Sequence, residues 1–491
     1  MFFSFGVENS RPKRENLVDL ARSNPEAMAD MFLTLWDKVS ELEAKVSSLQ
    51  KNSRNSSKPP SSDQHNPRRP GKEKKKASKG KEGRKPGGQK GHKGSTLEKA
   101  ENPDHIVEHH LEGACPCGQD LHGVKEEGFV PRQVFDLPPQ IRIESTEHRA
   151  FYGTCPCCGK KARAQFPDHV NAPVQYGQRI RTWVTYLHAY QLLPCERVAE
   201  CLGDLFGWRP SPGTISNILE NAGTNAAPAA ELLKEQISNA EYIHLDETSL
   251  NLAGKKYWLY TASTPKQTYL YLHPNRSRAA LAEFGILEGY EGFAIHDFYS
   301  IYLPYDQCGH GLCNAHHLRD LKYVEEELGQ AWAGKLAKFL VRAKELKEKA
   351  RLEGTGLDPG QLKRLRKEYT GILLAGHQVN PEPVAKPGQR GKPKRGKARN
   401  LLDRLIERDE EVLAFLYNDV PFDNNQAERD LRMMKTKQKI SGCFRSLPHA
   451  NAFVDIRSIL ASAKKQAVNA MEIIKAVIQQ PDEVGRLLMA S

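Results

Sequence analysis

Apolar residues near the start of the chain recur every seven positions, at Met28, Leu35, Leu42 and Leu49, with Phe32, Val39 and Val46 interleaved. This predicts a helix over residues 25–50 whose apolar stripe suits a short parallel two-stranded coiled coil, and hence a homodimer or higher oligomer. A helix lying on the chain's own globular body is the competing outcome. Over residues 51–97 the pattern stops, and Ser, Pro, Gly and Lys dominate. Such a segment cannot offset the entropy of ordering itself and is expected to be disordered when free. Residues 102–163 read as short strands around two cysteine clusters.

Helical periodicity returns over 172–235. Between Leu192 and Leu219 it reads as a short helix, a Gly-Trp turn and a second helix opening on Ser211 and Pro212, an N-cap followed by a first-turn proline. Helix-turn-helix DNA readers share this layout with many small bundles; on the DNA-reading version, Ser211 and Thr214 are the candidate contacts. From residue 240 the period switches to two. "EYIHLDETSLNL", "KKYWLYTAST" and "QTYLYLHPN" predict a three-strand meander, "RAALAEFGIL" a helix and "GFAIHDFYSIY" a further buried strand. Helices follow from Ala315. They are interrupted by "VAKPGQRGKPKRGKARN", which carries seven Lys and Arg and no acid and reads as a mobile basic loop.

With 491 residues, 39% of them hydrophobic, the chain has room for two or three domains. No run approaches the roughly 18 apolar residues that span a bilayer. "MFFSFGV" lacks the charged start and length of a signal peptide, so a cytoplasmic, nucleoid-associated protein without membrane partners is expected. From Lys51 to Thr96, 15 Lys and Arg face 3 acids, a net +12 that equals the formal charge of the whole chain. A polycation on a neutral remainder points to a polyanionic partner, DNA above all. A merely solvating linker is the alternative.

Two apolar runs end in an acid: "YIHL" leads into Asp246 and "FAIH" into Asp297. If those strands are neighbours, both carboxylates emerge at one edge, and Glu428, early on a later helix, can supply a third ligand. Each acid alone is more often a turn former or an ion-pair partner. Three converging carboxylates make sense around hard divalent cations, Mg²⁺ or Mn²⁺, which favour oxygen ligands and leave room for phosphate. Among the cations after Glu428, Lys435 lies nearly two turns on and so on the same face, placed to hold a DNA phosphate. Arg432 and Lys437 are further candidates, although Arg432 could simply pair with Glu428 at i,i+4.

These residues bring a resemblance into view. "NSSKPPSSD", "GRKPGGQKGHKG", "YLHAYQLLPCERVAECLGDLFG", "SPGTISNIL", "HLDET", "HDFYSIY", "CNAHHLRDL", "DNNQAERDLR" and "SGCFRS" occur in order, and the chain resembles the insertion-sequence-66 transposase family over nearly its whole length. The resemblance implies a multidomain α/β protein with a ribonuclease-H-like catalytic core over 240–470. It implies a metal site of Asp246, Asp297 and Glu428 and DNA partners that are the element's terminal repeats and a target. The long interval between Asp297 and Glu428 then implies a helical insertion at about 325–415. The family also suggests accessory proteins from the same element. A structure-selective nuclease on the same fold, or a non-catalytic zinc-ribbon regulator, are the competing readings.

Ten cysteines in such a chain argue for metal or free thiols rather than disulfides. "ACPCGQD" and "TCPCCGK" form a zinc-ribbon-like pair, with Cys115, Cys117, Cys155 and Cys158 as the expected Zn²⁺ ligands and Cys157 as the substitute for Cys158. The first pair is one residue short of the usual Cys-x-x-Cys. "CGHGLCNAHHLRD" offers Cys308, His310, Cys313, His316 and His317; packing, or a phosphate contact through His316 and Arg319, competes there with metal. Cys195, Cys201 and Cys443 are read as ordinary buried thiols.

Overall fold

The computed structural model describes residues 22–26, 29–30, 33–34, 36–39, 99–122, 125–136, 142–383, 393 and 395–489. The basic segment 51–97 lies outside them, as does the heptad stripe except for Val39, which is helical and exposed. The chain divides into two units, residues 66–146 and residues 1–65 with 147–491. In the smaller unit Cys115 sits in a tight turn, its N–H donating to Gln119 O at 2.8 Å beside an Ala114–Asp120 bridge.

In the larger unit, β1 (Tyr152–Thr154) and β2 (Lys161–Arg163) form an antiparallel hairpin whose turn carries Cys155, Cys157 and Cys158. Next come α1 (Gln178–Thr185), a π-helical turn (Tyr186–Tyr190), α2 (Cys195–Phe206) and α3 (Pro212–Ser238). Leu192, at φ 66°, breaks the helical path before α2. Val184, Val198, Leu202, Ile215 and Leu219 close a local core. Ser211 caps α3 as the sequence predicts, its Oγ accepting from Thr214 N at 3.1 Å. But α3 continues for 27 residues. Beyond its second turn Ala222, Ala226, Ala229 and Leu233 enter a second core under the main sheet. Gly223 permits this: a Cβ there would sit 2.3 Å from the Cβ of Ala452.

The main sheet comprises β3 (Tyr242–Leu252), β4 (Lys255–Ser263), β5 (Thr268–His273), β6 (Phe293–His296) and β7 (Gly309–Leu312), in the order β5-β4-β3-β6-β7. β3, β4 and β5 form the predicted meander; β6 and β7 run parallel to β3. The helix α4 (Arg278–Phe284) links the two halves. Residues alternate faces along each strand. Ile243 and Leu245 meet Leu281 and Phe284 on one side, while Leu250 and Leu252 meet helices on the other.

After β7 come α5 (Asn314–Glu326), α6 (Ala331–Leu352), α7 (Pro359–Val379), α8 (Lys397–Glu407) and the short α9 (Asp409–Val412) and α10 (Ala414–Tyr417). They close their own core around Trp332, Phe339, Tyr369 and Leu402. The end of the expected basic loop belongs to this bundle: Lys397 to Asn400 are helical, and Arg399 pairs with Asp403 at 2.7 Å. The chain returns through α11 (Asn425–Ser441) to α12 (Leu447–Lys465), α13 (Ala470–Gln479) and α14 (Pro481–Met489). On α12, Ser458 and Ser462 accept from the edge strand β5 through Leu270 N and Thr268 N at 3.0 and 2.9 Å. Among the described residues no helix is long and apolar enough to cross a membrane.

Candidate functional site

β3 and β6 are parallel neighbours, pairing Tyr242 with Phe293, Ile243 with Ala294 and His244 with Ile295. The expected adjacency of the two strands is present, but only β6 ends before its acid; β3 runs on past Asp246 to Leu252, so the expected turn there is corrected. Asp246 remains in the sheet, opposite Thr261 of β4, and its Oδ1 accepts from Glu247 N at 2.8 Å. Asp297 has just left the sheet; its Oδ1 accepts from Tyr299 N at 3.0 Å and shapes the following turn.

Glu428 arrives on α11, whose start is fastened to β3 by one side chain. Asn424 Nδ2 donates to Leu245 O at 2.7 Å, while Asn424 Oδ1 lies 2.9 Å from His244 Nδ1. The Asn424 N–H donates to Cys313 Sγ at 3.1 Å, and Asn314 N donates to Phe422 O at 3.1 Å. Glu428 stands one helical turn on from Asn424, which is buried at 1% exposure. Sequence reasoning missed this residue. Its signal is the doubled Asn before the helix, which reads as an N-cap; in the structure Asn424 makes no side-chain cap and reaches across to the strand instead.

Glu428 Oε1 receives Arg319 Nη2 at 3.3 Å and lies 3.6 Å from His316 Nε2, both from the start of α5. It is not paired with Arg432. Burial above all, and then the charges of Glu247, Asp297 and Glu428, push the Asp246 carboxyl well above the usual carboxylate range. The three acids therefore share one field, although among the described residues they do not bring three ligand atoms within 4.8 Å of one another. Arg319 offsets the repulsion only at Glu428, and an all-oxygen donor set of this kind suits a hard divalent cation. His316 contributes an orphan: its Nδ1 is buried without a hydrogen-bond partner. Burial first, then Arg319, lowers its pKa and keeps the ring neutral.

Glu247 points to the opposite face from Asp246. It accepts from Arg276 Nε at 2.9 Å and from the Tyr302 hydroxyl. The Arg276 guanidinium lies 3.6 Å from the Tyr299 ring centroid. This brace ties β3 to the turn after Asp297, and nothing in the sequence pattern distinguished Glu247 from an exposed acid.

The remaining expected residues divide. Arg319 stands at the site, and Arg432 is exposed on α11. Lys435 Nζ donates to Ser249 O at 2.7 Å and feels the charge of Asp246. Lys437, expected on DNA, is instead 4% exposed, its Nζ donating to Leu193 O at 3.4 Å. Helix periodicity turns it inward beside Met434 and Leu431. Ser211 and Thr214 use their polar atoms on one another, with the hydroxyls 3.0 Å apart, while Ser211 stays exposed. His310 Nδ1 lies 2.9 Å from His296 Nε2 and Cys308 donates to Tyr305 O, so these two pack away from Cys313 and His316.

Among the cysteines, Cys115 and Cys117 belong to the smaller unit and Cys155, Cys157 and Cys158 to the larger. Each cluster forms its own turn closed by a glycine at positive φ, Gly118 and Gly159. Backbone N–H groups aimed at Cys117 and Cys155 lower both thiol pKa values. The reading of Cys195, Cys201 and Cys443 as buried thiols is corrected: Cys443 is exposed, and the other two are half-buried. A model described as the Transposase IS66 family matches residues 173–452, and one described as a family of unknown function (DUF6444) matches residues 11–98. No curated protein matches the chain.

Proposed function

Because the chain belongs to the IS66 transposase family, we propose that it nicks DNA at the terminal repeats of an insertion sequence and joins the freed end to a target. The observation that carries this reading is the parallel pairing of β3 with β6, which brings Asp246 of β3 beside Asp297, the residue just after β6, with the start of the Glu428 helix fastened to β3 by Asn424. The sheet order, an antiparallel meander followed by two strands parallel to its first, supports a ribonuclease-H-like core.

Asp246, Asp297 and Glu428 would hold Mg²⁺ or Mn²⁺. When bound, such ions activate the attacking oxygen and stabilise the leaving one. The chain's own side chains do the rest. Asn424 fixes the approach of Glu428, Arg319 offsets its charge, and Lys435 and Arg432 offer cations to flanking phosphates. Hydrolysis at an element end releases a 3′-hydroxyl, which then attacks the target strand. The basic segment, the cysteine turns, whose thiolates would ligate zinc, and the exposed first turn of α3 are assigned to DNA binding.

The test is Asp246→Asn, Asp297→Asn and Glu428→Gln on a labelled element end. Each should reduce nicking and joining by several orders of magnitude while DNA affinity holds, and Ca²⁺ in place of Mg²⁺ should mimic the loss. Near-normal nicking by any one variant removes that residue from the site; retention by all three would falsify the reading. A chain that nicks but never joins a pre-nicked end is a nuclease on the same fold.

A further inference from the structure

We propose that His188, Cys195 and His449 form a binding site for one zinc ion that fastens the helical region to the catalytic core, at a place the carboxylate reading does not use. The three residues come from three elements. His188 lies in the π-helical turn, Cys195 opens α2, and His449 lies in the first turn of α12. Taking one ligand atom from each, the sulfur and two nitrogens lie within 4.8 Å of one another. His188 Nε2 and His449 Nε2 are 3.1 Å apart, and Cys195 Sγ is 3.9 Å from His188 Nδ1. Tetrahedral zinc with nitrogen and sulfur ligands holds its donor atoms roughly 3.3–3.8 Å apart, so small ring and thiol rotations complete the set.

The surroundings are organised as a metal site's are. His449 Nδ1 lies 3.0 Å from Ser216 Oγ, which in turn donates to Glu220 Oε1 at 3.2 Å. With the Nδ1 proton given to Ser216, the Nε2 lone pair is left facing the centre, the outer-shell arrangement that orients metal-ligating histidines. The backbone supporting His188 is irregular in the way functional sites often are, a π-helical turn followed by Leu192 at φ 66°. Its carbonyls are gripped from the core: Ser441 Oγ donates to Leu192 O at 3.3 Å and Arg457 to Ala189 O at 3.3 Å. Lys437 faces the same centre, and a thiolate ligand offsets that cation better than a third imidazole would. Three protein ligands leave a fourth position for water.

Without metal, the same atoms can form a hydrogen-bonded chain from Cys195 through both imidazoles to Glu220, and the experiment separates the two. The full chain is stripped with chelator, reloaded with Zn²⁺ and analysed for bound metal as wild type, Cys195→Ser, His449→Gln and Cys195→His. The serine and glutamine variants should each hold about one equivalent less than wild type, and the histidine variant, which keeps a ligand, should recover it. The same loss should appear in a Cys155→Ser background, separating it from any zinc in the cysteine turns. Loading with Co²⁺ should give thiolate-to-cobalt absorption that Cys195→Ser diminishes. Zinc should raise the melting temperature of wild type more than that of Cys195→Ser. Equal zinc content in wild type, Cys195→Ser and His449→Gln would overturn the proposal. The readout is metal, not strand cleavage, so the result is independent of the catalytic reading.

Discussion

Asp246 and Asp297 each lie two residues past a paired strand position, His244 and Ile295, on adjacent parallel strands. That relationship sets two acids side by side where the pairing of β3 with β6 ends, and there burial first, then neighbouring carboxylates, raise the Asp246 pKa. It also makes the site depend on whatever holds the third acid in place.

Asn424 is that support. Replacing it with Ala leaves Leu245 O and His244 Nδ1 without their partner and frees the start of α11. The expected stability loss is about 2–4 kcal/mol, the cost of stranding buried polar groups. Half-saturating Mg²⁺ for nicking should rise and the rate should fall by 100-fold or so, while DNA affinity is unchanged. Denaturant titration and a metal-dependence curve check both, and an unshifted Mg²⁺ requirement counts against a positioning role.

Gly223→Ala should destabilise the larger unit by about 3 kcal/mol, near the upper end for overpacking, because the new methyl meets Ala452 Cβ at 2.3 Å. Ala452→Gly in the same chain should restore only a small part of that loss, because the Ala452 Cα, 2.4 Å from the new methyl, remains. A double-mutant cycle by urea unfolding measures the coupling, and strict additivity would show that α3 and α12 adjust independently.

Asp455 on α12 predicts a pH dependence. Burial first, then Glu231, lifts its carboxyl from 3.8 to about 7. Between those values the folded chain binds a proton that the unfolded chain has released, so this group makes stability fall as pH rises from about 4 to about 7 and no further. Asp455→Asn should gain roughly 2–4 kcal/mol at neutral pH and flatten the profile. Urea midpoints at pH 5 and pH 8 test it; an identical slope in both proteins means the carboxyl is not held protonated.

Deleting residues 51–96 removes 15 of the chain's cations. If half of them meet phosphate, the slope of log affinity against log salt should flatten by roughly 7. Filter binding from 50 to 300 mM salt, about the usable range, would detect it. An unchanged slope assigns the segment to something other than DNA.

The three meander strands and the helices after Ala315 were legible because their apolar periods are long and regular, and the four-residue β6 because Phe293 to Ile295 is an unbroken apolar run. β7 was not: Gly309 to Leu312 is four residues with two glycines, and its cysteine and histidine neighbours suggested a ligand cluster instead. The proposed grouping of Asp246, Asp297 and Glu428 was suggested by strand order, although Asp246 lies within β3 and not at its end. The roles of Asn424 and Glu247 were not legible, because each acts through long-range partners, Leu245 O, His244 and Cys313 for the first and Arg276 and Tyr302 for the second, that no local spacing encodes. Lys437 shows the converse error: a cation in a basic run is read as exposed, while helix phase turns it inward.

The reach of α3 limits how this chain can be rebuilt. Its 27 residues, about 40 Å of helix, begin in one hydrophobic core and end in another. No cut between the helical region and the sheet leaves both cores whole. A chimera joined after Asn239 would import a helix whose inner face was shaped against a different α12, and one joined before Pro212 would leave Val198 and Leu202 without Ile215 and Leu219. Exchange of the proposed DNA-reading region between such chains is therefore constrained to move the helical region and its sheet together, or to alter only the exposed first turn at Ser211.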